Sequence, residues 1–120
     1  MVLLSAALLA SWVFAQEGFP LDGTWRGGFG AEDAPTPVVI VMKWDGENIT
    51  GMINPGPNSV PFKSAVLKPS DWSVHIEADA RNGEPIVIDA TLENIGSYNR
   101  TLTGTWKEAG AEQRFKITRE

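Results

Sequence analysis

Apolar and polar residues alternate along most of this chain with the two-residue period of half-buried β-strands. Leu21, Gly23, Trp25, Gly27 and Phe29 share one face of a first strand, and Asp22, Thr24 and Arg26 take the other. A second strand, Pro37–Trp44, is a near-continuous apolar run, which predicts burial on both faces or a covered outer face. Asp45-Gly46 signals a hairpin turn into a third strand, Ile49–Asn54. After the rigid Pro55-Gly56-Pro57-Asn58 loop, a fourth strand runs from Val60 to Leu67, with Val60, Phe62, Ser64 and Val66 on its inner face. Trp72, Val74, Ile76 and Ala78 then alternate with Ser73, His75, Glu77 and Asp79 in a fifth. Asn82-Gly83 turns the chain into a sixth strand, Pro85–Leu92; a seventh covers Arg100–Lys107 and an eighth Arg114–Arg119. No stretch after the first fifteen residues carries a capped helical pattern. Short strands spaced by roughly 8–12 residues predict an all-β sandwich or barrel. Sequential hairpins need no long crossover, and closure removes exposed edges, so the expected fold is an eight-stranded antiparallel up-and-down barrel.

One motif is written twice, as Leu21-Asp22-Gly23-Thr24-Trp25 and Leu102-Thr103-Gly104-Thr105-Trp106, with a shorter echo at Ile49-Thr50-Gly51-Met52. Glycine inside a strand marks a bend or a close backbone approach. Gly23-Thr24-Trp25 resembles the Gly-x-Trp signature of the lipocalin and fatty-acid-binding (calycin) superfamily. The chain from Leu21 to Arg119 also resembles small secreted bacterial lipocalin-like domains of unassigned function, in the order of these motifs and the closing Thr118-Arg119. The resemblance implies that a basic side chain of the last strand packs across the first-strand tryptophan near the closed end of the barrel. It makes Trp25 and Arg119 a structural closure pair. The long loop and helix of true lipocalins have no counterpart here. Similar barrels also precede hydrolase domains in longer bacterial chains, so the resemblance admits an accessory role as well.

The 120 residues suit one domain. Residues 1–15, MVLLSAALLASWVFA, are apolar, uncharged and end in Val-Phe-Ala, which predicts a signal peptide cleaved before Gln16 and a single barrel domain over residues 16–120. The run is shorter than the roughly 18–20 apolar residues of a membrane span. The expected location is periplasmic or extracellular, with no membrane span once the leader is removed. The chain has no cysteine, which excludes disulfides and a lipid-anchored lipoprotein. The core must therefore hold the fold unaided. A net charge of −5 argues against nucleic acid and anionic membranes as partners. Asn48-Ile49-Thr50 and Asn99-Arg100-Thr101 match the N-glycosylation pattern.

The side chains projected inward are almost all apolar. An eight-stranded barrel is just wide enough to be filled by side chains or to hold one small ligand. If it holds one, the candidate lining is Phe29, Trp44, Phe62, Trp72 and Trp106, with access at the end opposite Arg119. Such a ligand is apolar, because each unpaired polar group would cost about 1–3 kcal/mol. His75 is the only histidine, and it shares an outer face with Glu77 and Asp79 at about 7 Å intervals, a spacing too wide for one metal ion. With one histidine, no cysteine and no Gly-x-Ser-x-Gly, the nucleophile routes are empty. Glu77, Asp89 and Glu93 point outward by parity, so paired-carboxylate chemistry is not expected. Gly27-Gly28-Phe29-Gly30 lacks the lysine and following helix of a phosphate loop. The sequence thus predicts a secreted, non-enzymatic, lipocalin-like barrel without cofactor or metal. It binds a small apolar molecule, or else serves as an accessory or structural envelope module through protein contacts with its interior filled.

Overall fold

Each strand of this chain pairs antiparallel with the next, and the last returns to the first. A computed structural model describes residues 20–45 and 48–120. Its strands are β1 (Gly23–Phe29), β2 (Thr36–Trp44), β3 (Ile49–Ile53), β4 (Val60–Lys68), β5 (Ser73–Asp79), β6 (Pro85–Glu93), β7 (Thr101–Glu108) and β8 (Ala111–Arg119). They form a closed barrel in sequence order, with β8 back on β1, as the alternation predicts. The expected leader, residues 1–15, lies outside the described residues. Among the described residues no helix is long and apolar enough to cross a membrane.

Turn chemistry fixes the register. Ala109 and Gly110 both adopt positive φ (52° and 78°) between the paired Glu108 and Ala111. That is the two-residue hairpin whose twist matches its flanking strands. Inside the ring, Trp25, Ile40, Ile76, Ile88, Leu102 and Ile117 are buried with essentially no exposure. Each such side chain contributes roughly 1.5–3 kcal/mol by leaving water. Both copies of the repeated motif place their Leu and Trp in this core. The glycine between them has a steric reason: a Cβ added at Gly104 would collide with the Asp89 carbonyl oxygen.

The inner face of β4 departs from strict alternation. A bulge between Phe62 and Ser64 shifts the register against β5. An extra residue reverses parity beyond it. Ala65 and Leu67 consequently pack against the core, while Ser64 is exposed and Val66 is 52% exposed. The expectation that Ser64 and Val66 face inward is corrected by this bulge. On β2, Val38, Ile40 and Met42 are buried, whereas the outward Val39 and Val41 are only half-buried. Their outer wall carries no described covering element; Met52, opposite Val41, is itself 38% exposed.

The barrel has two distinct ends. One, the floor, gathers the start of β1, the end of β2 and the end of β8. The other, the mouth, gathers the end of β1 and the β5–β6 and β7–β8 turns. Closure is complete around the ring but uneven along its height: β3 has five residues and β4 nine, and they pair at only two positions, Met52–Pro61 and Ile53–Val60.

Candidate functional site

The floor is built around Trp25. Its indole N–H donates to the Leu21 carbonyl at 2.9 Å, so the ring is fully buried without an orphaned donor. Arg119 is its direct partner in the β1–β8 register. The guanidinium does not stack on the indole, as the family resemblance implies. It lies 4.7 Å over the exposed ring of Tyr98 and donates to the Tyr98 and Asp22 carbonyls at 3.1 and 3.2 Å. The cause is the supply of backbone acceptors at the rim, which a guanidinium satisfies better than a buried ring face. Its aliphatic stem passes beside Gly23. Arg100, not singled out from the sequence, ties in the Pro20 and Ile95 carbonyls at 3.1 and 2.9 Å. Asp22 accepts the Trp44 amide at 2.6 Å and so pins the end of β2. Asn99 donates to the Arg119 carbonyl at 2.9 Å, which engages one of the two sequon asparagines in this floor.

The five candidate lining residues do not converge. Trp44, at the end of β2, and Trp72, just before β5, sit on the floor side with Arg119. Phe62 lies at mid-height and packs its ring over Gly51, where an added Cβ would approach it to 2.7 Å. Only Phe29 and Trp106 reach the mouth. There they stack with centroids 4.1 Å apart and planes 5° from parallel, and Phe115 supports Trp106 at 5.9 Å. The Trp106 indole N–H donates to Glu108 at 2.9 Å. The strand ends explain the division: alternation assigns a face, while height depends on where in its strand each residue falls.

A shallow, open depression of about 400 Å³ lies over this stack. Ile53, Val60 and Ile86 give it apolar walls, and Arg81, Asn82, Asn54 and Glu108 give it a polar rim. That volume lies within the roughly 300–1,000 Å³ of small-molecule sites, and apolar walls with a few polar groups fit the same pattern. The rim residues were missed from sequence, although Arg81 beside the Asn82-Gly83 turn was bound to lie at one end of the barrel.

A larger hollow, about 570 Å³, lies on the outer wall beside Val66, His75 and Thr103. It is a groove on a solvated outer face. His75 bridges two carboxylates there: its Nδ1 meets Asp89 at 2.5 Å and its Nε2 meets Glu77 at 2.7 Å. These hydrogen bonds, Asp89's first, raise its pKa above the ordinary 6.5. Because the carboxylates take opposite ring nitrogens, the three groups do not converge on one point. No family model matches the chain, and no curated protein or solved structure matches it significantly.

Proposed function

We propose that this protein is an exported, non-enzymatic, lipocalin-like barrel that binds a small, flat, apolar molecule at its mouth. The observation that carries the reading is the parallel Phe29–Trp106 stack beneath an open depression of about 400 Å³ with apolar walls and a polar rim. An aromatic pair held at stacking distance offers a flat surface on which a ring system gains contact without leaving polar groups unpaired. The buried apolar side chains below the stack form one cluster, which favours a ligand seated in the mouth over one threaded through the interior. This favours a compact fused-ring molecule over a long acyl chain.

Titration with 2-naphthol tests the reading through indole fluorescence. A saturable change is expected, at least tenfold weakened by Val60→Trp, which fills the mouth, and absent with glucose or AMP. A flat response to 2-naphthol by the folded protein contradicts it. The continuous apolar core cluster favours a second reading, an accessory or envelope module with a filled barrel that acts through protein contacts on its outer surface.

A further inference from the structure

The rim of the mouth is rich in uncommitted hydrogen-bond donors. Arg81 lines it from the β5–β6 turn. There the Ala80 N–H donates to the Glu84 carbonyl and the Gly83 N–H to the Ala80 carbonyl, both at 2.8 Å. Asn82 braces the same turn, its side-chain oxygen accepting the Glu84 N–H at 3.0 Å. The backbone that carries Arg81 is thus held in place while its side chain stays exposed. Among the described residues the guanidinium makes one hydrogen bond, to the Pro57 carbonyl at 3.5 Å, the outer limit of such a contact. A guanidinium carries five N–H donors, so most of them remain for a ligand. Two amides on the rim repeat the pattern. Asn54 commits its side-chain oxygen to the Val39 N–H at 3.0 Å, and Asn82 commits its own to Glu84. The NH2 group of each, a donor only, is left over.

The acids of this end have other engagements. Among the described residues around the depression only Arg81 and Glu108 are charged. Glu108 accepts the Trp106 indole N–H at 2.9 Å, so its carboxylate holds the aromatic stack in place. Glu84 and Glu112 line a separate hollow with Lys107. Asp79 pairs with Lys63 at 3.5 Å, and Glu32 with Arg114 at 2.8 Å.

Resting on the mouth reading, we infer that the mouth takes a flat aromatic acid with a single negative charge. Its ring lies over the Phe29–Trp106 stack, and its carboxylate is held by Arg81, with the Asn82 and Asn54 amides as further donors. A carboxylate is the planar acceptor that matches a guanidinium fork. One charge suits one arginine, because a dianion such as a phosphate monoester would set its second charge against Glu108. The ring itself is apolar: a nucleotide would press polar groups onto Ile53, Val60 and Ile86. An aromatic cation is the competing class, since it would turn to Glu108 and the ring faces.

Fluorescence titrations of the whole protein with 2-naphthoate, 2-naphthol and 2-naphthylmethylammonium test the inference. 2-Naphthoate should bind about three- to fivefold tighter than 2-naphthol, the scale of one solvent-accessible charged contact, and the ammonium weakest of the three. Arg81→Gln should bring the naphthoate-to-naphthol ratio to about one. Glu108→Gln, which keeps an acceptor for the Trp106 indole, should widen it. Added salt should shrink the ratio in the wild-type protein. Equal binding of 2-naphthoate and 2-naphthol, tighter binding of the ammonium, or a preference that survives Arg81→Gln would each overturn the inference and leave the mouth reading standing. Absence of binding by all three probes defeats the mouth reading, and the inference with it.

Discussion

Trp25 and Arg119 face each other across β1 and β8, yet the Arg119 guanidinium rests on Tyr98 and on backbone carbonyls instead of on the indole. The floor is therefore held in two layers. A buried tryptophan seals the core, and an arginine outside it clamps Asp22 to the Tyr98 loop. The layers differ in energetic scale. Trp25→Ala should destabilise by about 3–5 kcal/mol, as for a buried large aromatic. Arg119→Ala should cost about 1–2 kcal/mol, from partly solvated charged hydrogen bonds and one cation–π contact. Urea unfolding of the two variants measures both, and an Arg119→Ala midpoint equal to wild type contradicts the clamp.

The glycine of the second repeat is fixed by the neighbouring backbone. Gly104→Ala should destabilise by about 1–3 kcal/mol through overpacking against the Asp89 carbonyl. Gly96→Ala, in a loop with open space around it, should stay within about 0.5 kcal/mol. Thermal melts that rank the two equally would show that β6 and β7 separate easily at this point.

His75 should make stability depend on pH in one direction. Hydrogen bonds to Asp89 and Glu77 raise its folded-state pKa above 6.5. Its contribution is therefore fully present below the unfolded value near 6.5 and is lost as pH rises through the folded value. The pair geometry is solvent-accessible, with 42% of the His75 side chain exposed, so the contribution stays below about 1 kcal/mol. The stability gap between wild type and His75→Ala should be larger at pH 6 and shrink as pH rises above 6.5. An NMR titration that places the His75 pKa below 6.5 contradicts the bridged geometry.

Local opening should follow the uneven seam. Among the described residues Ser64 to Lys68 pair with β5 alone, whereas β5 to β7 are paired on both sides. Without partner or ligand, native-state hydrogen exchange should be faster at Ala65 and Leu67 than at Ile76 and Ile88. Equal protection would mean that the β4 edge is covered.

Much of this molecule is legible in its sequence. The alternation in β5 and β6, the Asp-Gly and Asn-Gly turns and the regular strand spacing lead directly to eight strands in up-and-down order. Gly51 and Gly104 mark close backbone approaches as the motif suggests, whereas Gly23 adopts a positive φ beside the Arg119 side chain. Ser64 and Val66 could not be placed, because a bulge changes parity through backbone geometry that no residue type in Lys63-Ser64-Ala65 announces. The five aromatic candidates were identified as inward-facing but not by height. Trp44 and Phe29 share a face pattern yet sit at opposite ends, since one closes β2 at the floor and the other closes β1 at the mouth. Arg119 was placed on the correct strand opposite the correct tryptophan. Its guanidinium was misdirected because the Tyr98 and Asp22 carbonyls that attract it belong to loops, whose paths periodicity does not describe.

The mouth reading is tested most directly by mapping methyl chemical-shift changes as 2-naphthol is added to the isotope-labelled protein. The account predicts changes confined to Ile53, Val60 and Ile86 around the Phe29–Trp106 stack, with Ile49, Leu67 and Val66 unmoved. Changes centred on Ile49, opposite Trp44, and on Leu67, or no changes at all, would contradict it.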